Sequence, residues 1–189
     1  MSSLKLYKRA QKNFGLQQVR AEWIEFIKFL MVAQPKTVLE IGTYKGGSAY
    51  TFAHFADLII TVDNNNLFKP KKQNIISRKS QLYFINRTSK NPRVLTKINH
   101  LLRFHRREVD LLLIDADHTY RGAKRDFQTY SPLVKPGGHI VLHDITKSSY
   151  HIQLGCLIYK FWEELKLQYS NTTEITKNKK WGGLGIIKL

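Results

Sequence analysis

Five of the fourteen acidic residues stand at or near the ends of short apolar runs of strand type. Glu40 sits inside the run Thr37 to Ile41, Asp63 closes Leu58 to Val62, and Asp115 and Asp117 follow Val109 to Ile114. Asp144 follows Gly138 to Leu142, with His143 between them. A row of carboxylates can hold cations: an ammonium, a sulfonium or a divalent metal. One carboxylate can also accept two neighbouring hydroxyls, because it has two acceptor oxygens. His118 and His143 lie among these acids, and imidazole is the side chain that most readily moves protons near neutral pH. Asp115, Asp117, His118, His143 and Asp144 are therefore the candidates for proton transfer or metal binding.

The stretch "VLEIGTYKGGSAY", Val38 to Tyr50, is a strand, a glycine loop and the start of a helix. Its glycines, Gly42, Gly46 and Gly47, do not have the Gly-x-Gly-x-x-Gly spacing that brings backbone against a pyrophosphate, and no Gly-Lys-Ser/Thr of a P-loop follows. Glu40 beside the loop would repel a pyrophosphate and suits a ligand with a positive charge. A tight turn without a ligand needs only the glycines and leaves the acid unexplained.

The elements that must carry these residues follow from hydrophobic periodicity. Leu16 to Ala33 reads as one amphipathic helix, ended by Gln34-Pro35. Strands are expected at Thr37 to Ile41, Leu58 to Val62, Leu82 to Ile85, Val109 to Ile114 and Gly138 to Leu142, the last after the turn "KPGG". Helices are expected at Ser48 to Ala56, Pro92 to Phe104 and around Tyr120 to Tyr130. A long helix over Tyr150 to Leu167 should turn Leu154, Ile158, Phe161, Trp162 and Leu165 inward. The segment from Asn64 to Ser80 reads as loop with at most a short helix. Thr172 to Thr176 and Leu184 to Leu189 close the chain as an antiparallel hairpin. Strands alternating with helices make an α/β fold with a mostly parallel seven-stranded sheet and helices on both faces. The 189 residues suit one domain, with a helical extension over 1–35 and a core over 36–189.

Lys and Arg number 31, a formal net charge of +17. From Asn64 to Arg107 there are twelve Lys and Arg and no Asp or Glu. This surplus favours an anionic partner, whether nucleic acid, a membrane surface or an acidic substrate, unless it is only a solvated basic face. No apolar run reaches the length of a membrane span. The lone Cys156 reads as a small core residue, and with no apolar leader at "MSSLKLYKRAQKNF" a cytoplasmic location is expected. Trp23 and Trp162 fall on apolar helix faces. Trp181, before Gly182-Gly183, reads as a hairpin anchor, with the border of an acceptor pocket as its alternative. His54, His100, His105, His139 and His151 read as surface or packing residues.

The segments "VLEIGTYKGGSAYTFA", "ITVDNN", "VDLLLIDADHTYRGAKRDFQTYSPLVKPGGHIVLHDI" and "WGGLGIIKL" resemble the class I S-adenosylmethionine-dependent methyltransferases. More narrowly they resemble the small-molecule O-methyltransferase-like group with an "IDADH(S/T)Y" motif and a "KPGG…HD" strand. The resemblance implies a Rossmann-like fold and S-adenosylmethionine as methyl donor. It implies that Glu40 and the loop residues Gly42, Thr43, Gly46, Gly47 and Ser48 hold the methionine end. Asp63, with Asn64, would take the ribose, and Asp115 would border the cofactor. Relatives carry an acid near the adenine where this chain has Arg87, followed by Thr88 and Ser89. It further implies Mg²⁺ or another divalent metal on Asp115, His143 and Asp144, with Asp117 or His118 as base and His143 as the base of a metal-free site. Imidazole is a poor ligand for Mg²⁺ and better suits Mn²⁺, Fe²⁺ or Zn²⁺.

Three functions remain open from these residues: O-methylation of a small, anionic, hydroxyl-bearing acceptor; RNA methylation using the basic 64–107 segment; and a non-catalytic binding module on the same fold. The N-terminal helix either covers the pocket or pairs with a second copy in a homodimer.

Overall fold

The computed structural model describes residues 1–189. Two helices open the chain, α1 (Ser3–Phe14) and α2 (Arg20–Ala33). Then come β1 (Thr37–Ile41), α3 (Gly47–Phe52), β2 (Leu58–Asp63), α4 (Pro70–Ser77), β3 (Gln81–Asn86), α5 (Pro92–His105) and β4 (Val109–Ile114). The chain closes with α6 (Tyr120–Tyr130), β5 (Val134–His143), α7 (Ser149–Gln153), α8 (Ile158–Gln168), β6 (Thr172–Ile175) and β7 (Leu184–Lys188).

The seven strands form one sheet in the order β3-β2-β1-β4-β5-β7-β6. The first five run parallel, and β7 lies antiparallel between β5 and β6. The strand order reverses between β1 and β4, so their carboxyl ends open onto a crevice where such sheets bind ligands. Alternation along the strands divides the core in two. Leu39, Ile41, Leu112, Ile114, Ile140 and Leu142 face α5, α6 and α8. Val38, Leu111, Leu113 and Val141 face α1, α2 and α3.

Three expectations need correction. The helix expected over Leu16 to Ala33 is α2 alone, and a further helix, α1, precedes it. Leu6, Tyr7, Ala10 and Phe14 bury one face of α1, Ser2 caps its start, and Gly15 ends it in a left-handed conformation (φ 70°). Residues Leu16 to Val19 are a linker before α2, not its first turn. The long helix over Tyr150 to Leu167 is broken into α7 and α8 at Gly155 (φ 71°), and Leu154 points to solvent. The "KPGG" turn lies within β5, where pairing with β4 slips between Val109 and Leu111.

Candidate active site

The loop after β1 is packed so closely that glycine is required at Gly42. With φ at 105°, a Cβ there would stand 1.9 Å from the Asp115 carbonyl oxygen, so the ends of β1 and β4 nearly touch. At Gly47 a Cβ would meet the Leu16 backbone at 2.7 Å, which brings the N-terminal linker onto the same loop. Glu40 lies beneath the loop, fully buried, and does not line the cleft. Its Oε2 accepts from Thr61 Oγ1 at 2.5 Å, and Oε1 has no partner. Burial pushes its carboxyl up to about 8, against hydrogen bonds from Ser48 and Thr61.

A cleft of about 530 Å³ opens at the carboxyl ends of the strands. One end is bordered by Gly42, Thr43, Ser48, Asp63 and Asn64, with Thr88 and Ser89 beyond them. Asp63 is already engaged: Oδ2 accepts from the Thr43 and Tyr44 amides at 2.9 and 2.7 Å, and Oδ1 from the Asn65 amide and side chain at 3.0 and 2.6 Å. It therefore ties the glycine loop to the end of β2.

The other end of the cleft holds carboxylates and imidazoles. His143, only 4% exposed, places Nδ1 3.2 Å from Asp115 Oδ1 and 3.3 Å from Asp144 Oδ1. Both ring nitrogens of His143 and Oδ1 of Asp144 are buried without a well-aligned hydrogen bond. Burial opposes a charge on His143, but the charges of Asp115 and Asp144 outweigh it and hold the ring well above its usual range. His118 Nδ1 donates to Asp144 Oδ2 at 2.8 Å, and its Nε2 is 4.0 Å from Asp115 Oδ1. Burial again works against its charge. The hydrogen bonds to Asp144 and Cys156 and the two carboxylates push it up to about 10. Asp144 is held well below the usual carboxylate range; burial alone would raise it, but the charge of His143 and the hydrogen bond from His118 prevail.

Not every expected residue joins this group. Asp117 borders the cleft but is committed elsewhere: Oδ1 accepts from Thr119, and Oδ2 pairs with Lys90 at 3.2 Å and Arg125 at 3.6 Å. These contacts outweigh its partial burial and lower its pKa. The helix cap is Thr119 itself, which accepts from the Gly122 amide. Arg87 is exposed and lies off the cleft, as does Gly46, which packs against Phe68.

Several residues at the site escaped the sequence reading. His151, taken above as a packing or surface residue, is buried with Nε2 3.5 Å from Asp144 Oδ1 and Nδ1 2.7 Å from the Thr146 carbonyl oxygen. Gln18, on the linker between α1 and α2, donates from Nε2 to Asp115 Oδ2 at 2.9 Å. Gly15, Leu16 and Gln17 line the cleft beside it. Nothing local marks a lone Gln or His for such contacts; they arise from tertiary packing. Trp181 does border the cleft, its alternative reading. Glu22 of α2 holds the loop that carries it, accepting from the amides of Lys177 (2.7 Å), Asn178 (3.0 Å) and Gly183 (2.8 Å).

The chemistry such a cleft can support is proton transfer beside carboxylates and an imidazole that could hold a cation, with a separate polar end that could hold a nucleoside-like group. Residues 39–145 match the family described as "Methyltransferase domain". Curated relatives are the rhamnosyl O-methyltransferases of Mycobacterium bovis and Mycobacterium tuberculosis, 27% identical over 124 residues, 62% of this chain and 49% of theirs. The chain thus spans about half the length of the curated relatives it matches. Among solved structures, the O-methyltransferase TomG of Streptomyces achromogenes in complex with S-adenosylmethionine superposes with a TM-score of 0.63 at 14% identity, over 100% of this chain and 90% of that one. The methyltransferase MycE of the mycinamycin pathway, solved with Mg, S-adenosylhomocysteine and mycinamycin VI, gives 0.66 at 16%, over 100% and 54%. At these identities the two likenesses concern the fold alone. The chain belongs to the methyltransferase-domain family.

Proposed function

We propose that this domain transfers the methyl group of S-adenosylmethionine to a hydroxyl of a small acceptor, with a divalent ion held by Asp115, His143 and Asp144. The observation that carries it is the buried His143, whose unpartnered Nδ1 faces two carboxylates at the end of the cleft. One ligand atom from each of the three residues lies within 4.8 Å of the others, which fits a single cation. Such an ion, when bound, would orient an acceptor hydroxyl and lower its pKa. The imidazole favours Mn²⁺, Fe²⁺ or Zn²⁺ over Mg²⁺.

The chain's own residues do the rest. The loop Gly42-Thr43 with Ser48 takes the methionine end of the cofactor. Asp63 and Asn64 take the ribose, with Asp63 giving up part of its loop contacts to do so. Thr88 and Ser89, rather than Arg87, border the adenine end. With a cation bound, its charge would offset those of Asp115 and Asp144 and lower the His118 pKa, so that Nε2 could receive the acceptor proton while Asp144 fixes the ring through Nδ1–H. Asp117 is a weaker candidate, since Lys90 and Arg125 already neutralise it. Trp181 borders the acceptor. The rhamnosyl acceptor in the relatives' names supports a sugar hydroxyl, and the basic surface supports an acceptor with negative charge. The RNA-directed reading has less support: Phe68 is buried, Tyr83 and Phe84 are half-buried strand residues, and only Phe104 in the basic segment is exposed.

Calorimetric titration with S-adenosylhomocysteine, with and without Mn²⁺ and Mg²⁺, tests the reading. Cofactor binding together with a separate Mn²⁺ isotherm that His143→Ala removes is expected. Cofactor binding with no isotherm for any divalent ion would leave a metal-free enzyme with His118 or His143 as its base. In an acceptor assay His118→Ala should lower turnover about 10²–10⁴-fold, and Asp117→Ala far less.

A further inference from the structure

Cationic side chains without a carboxylate partner collect on one face beside the cleft. Residues 1–21 contain no Asp or Glu, and α1 turns Lys5, Lys8, Arg9 and Lys12 outward. The acid-free stretch that includes α4 adds Lys69, Lys71, Arg78 and Lys79, all exposed. None of these eight forms an ion pair.

Contacts tie the two stretches into one surface. At one end of α1, Arg9 reaches the Met1 sulfur, and the charges of Lys79, Arg9 and the N-terminus all bear on His54. At the other end, Lys72 lies 5.7 Å from the centre of the Phe14 ring. The Lys45 side chain packs against Gly15, which borders the cleft. Burial and the charge of Lys45 lower the pKa of Lys72, so the cations there crowd one another. A helix of this length runs about 18 Å, from the N-terminus to the cleft mouth. The carboxylate at the start of β2, Asp57, is paired with Arg107.

Apolar side chains stand among the cations: Met1, Leu4, Leu67 and Ile75 are each 38% exposed or more. Tyr7, Phe14, Tyr50 and Phe68 are buried beneath the face, and Tyr44 beside Lys45 and Phe55 beside His54 are half-buried. A surface that binds single-stranded nucleic acid offers exposed rings for bases to stack on, and none of these six is exposed. Cations interspersed with shallow apolar side chains are what a helix needs to lie in the headgroup layer of an acidic membrane.

We infer that the α1–α4 face docks on an anionic lipid bilayer, with the cleft mouth at the edge of the bound surface. The inference is independent of the metal and acceptor proposed above and does not require cofactor binding.

Co-sedimentation of the full chain with phosphatidylcholine vesicles, with and without phosphatidylglycerol, tests it. Binding should need phosphatidylglycerol and weaken with salt. Lys5→Ala, Lys8→Ala, Lys12→Ala and Lys71→Ala together should weaken it by about five-fold per lysine. A matched variant with Arg93→Ala, Lys97→Ala, Arg103→Ala and Arg121→Ala removes the same charge from α5 and α6 and should bind like the parent. Equal loss in both variants, with unchanged far-ultraviolet circular dichroism, would overturn a defined face. So would binding to an RNA oligonucleotide that phosphatidylglycerol vesicles fail to compete away.

Discussion

At the scale of single residues, Glu40 shows how far the sequence can be read. Its place beside the glycine loop marked it as a charged contact for the cofactor, and the structure puts it under the loop instead. An acid whose folded pKa, here about 8, exceeds its ordinary value of 4.5 is bound to its proton more tightly in the fold than in the unfolded chain. Its contribution to stability is whole below pH 4.5, declines from there upward, and is gone above about pH 8. Glu40→Gln should therefore flatten this part of the profile and raise stability above pH 8, by about a few kcal/mol. Urea unfolding of both proteins on either side of this window measures it, and an equal difference at both ends would remove the neutral-acid assignment. The acids at strand ends were legible because apolar runs end where parallel strands deliver their side chains to the crevice. Gln18 and His151 were not, because Gln18 meets Asp115 only across 97 residues of chain, and nothing local sets His151 apart from the other histidines.

At the scale of elements, glycine conformation separates two kinds of breakdown in the expected pattern. Gly155 interrupts what periodicity presents as one helix, and a Cβ there would meet nothing within 4 Å. Gly155→Ala should cost only the left-handed backbone penalty, about 1–2 kcal/mol, with cofactor binding unchanged. Gly42→Ala carries a similar penalty and a collision with the Asp115 backbone as well. It should lower the melting temperature more and weaken S-adenosylhomocysteine binding at least ten-fold, since β1 and β4 must part. Equal effects of the two substitutions, seen by calorimetry, would contradict this contrast. The strands were readable from their β-branched runs. Helix α1 was passed over because its exposed face is so basic that only Leu6, Tyr7, Ala10 and Phe14 betray the period.

At the scale of the molecule, the N-terminal segment is part of the site. Its linker lines the cleft, and Glu22 grips the loop that bears Trp181 through three backbone amides. Glu22→Ala would strand these donors, two-thirds of them in a partly buried setting, at a cost of about 1–3 kcal/mol for each left without water. Hydrogen exchange at Lys177, Asn178 and Gly183 should quicken, while the amides of β1 and β4 stay protected. Exchange unchanged at the three amides would show that Trp181 is held by something else. The closing hairpin and the sheet's overall class were legible from the alternation of strands and helices. The partnership between the first and last segments was not, because nothing in either one announces the other.

The same grip has a consequence for the order of assembly. Glu22 and Gly183 are separated by 161 residues, whereas Thr43 and Asp63 are separated by 20. Contacts between distant parts of a chain form late, because a long loop must be closed before they reward it. On a chain emerging from the ribosome, the glycine loop and the end of β2 can meet while the later strands are still being made. The Trp181 side of the cleft can be fastened only after the turn between β6 and β7 has been synthesised. A nascent chain stalled before that point would have the glycine-loop end of its cleft and no Trp181 wall.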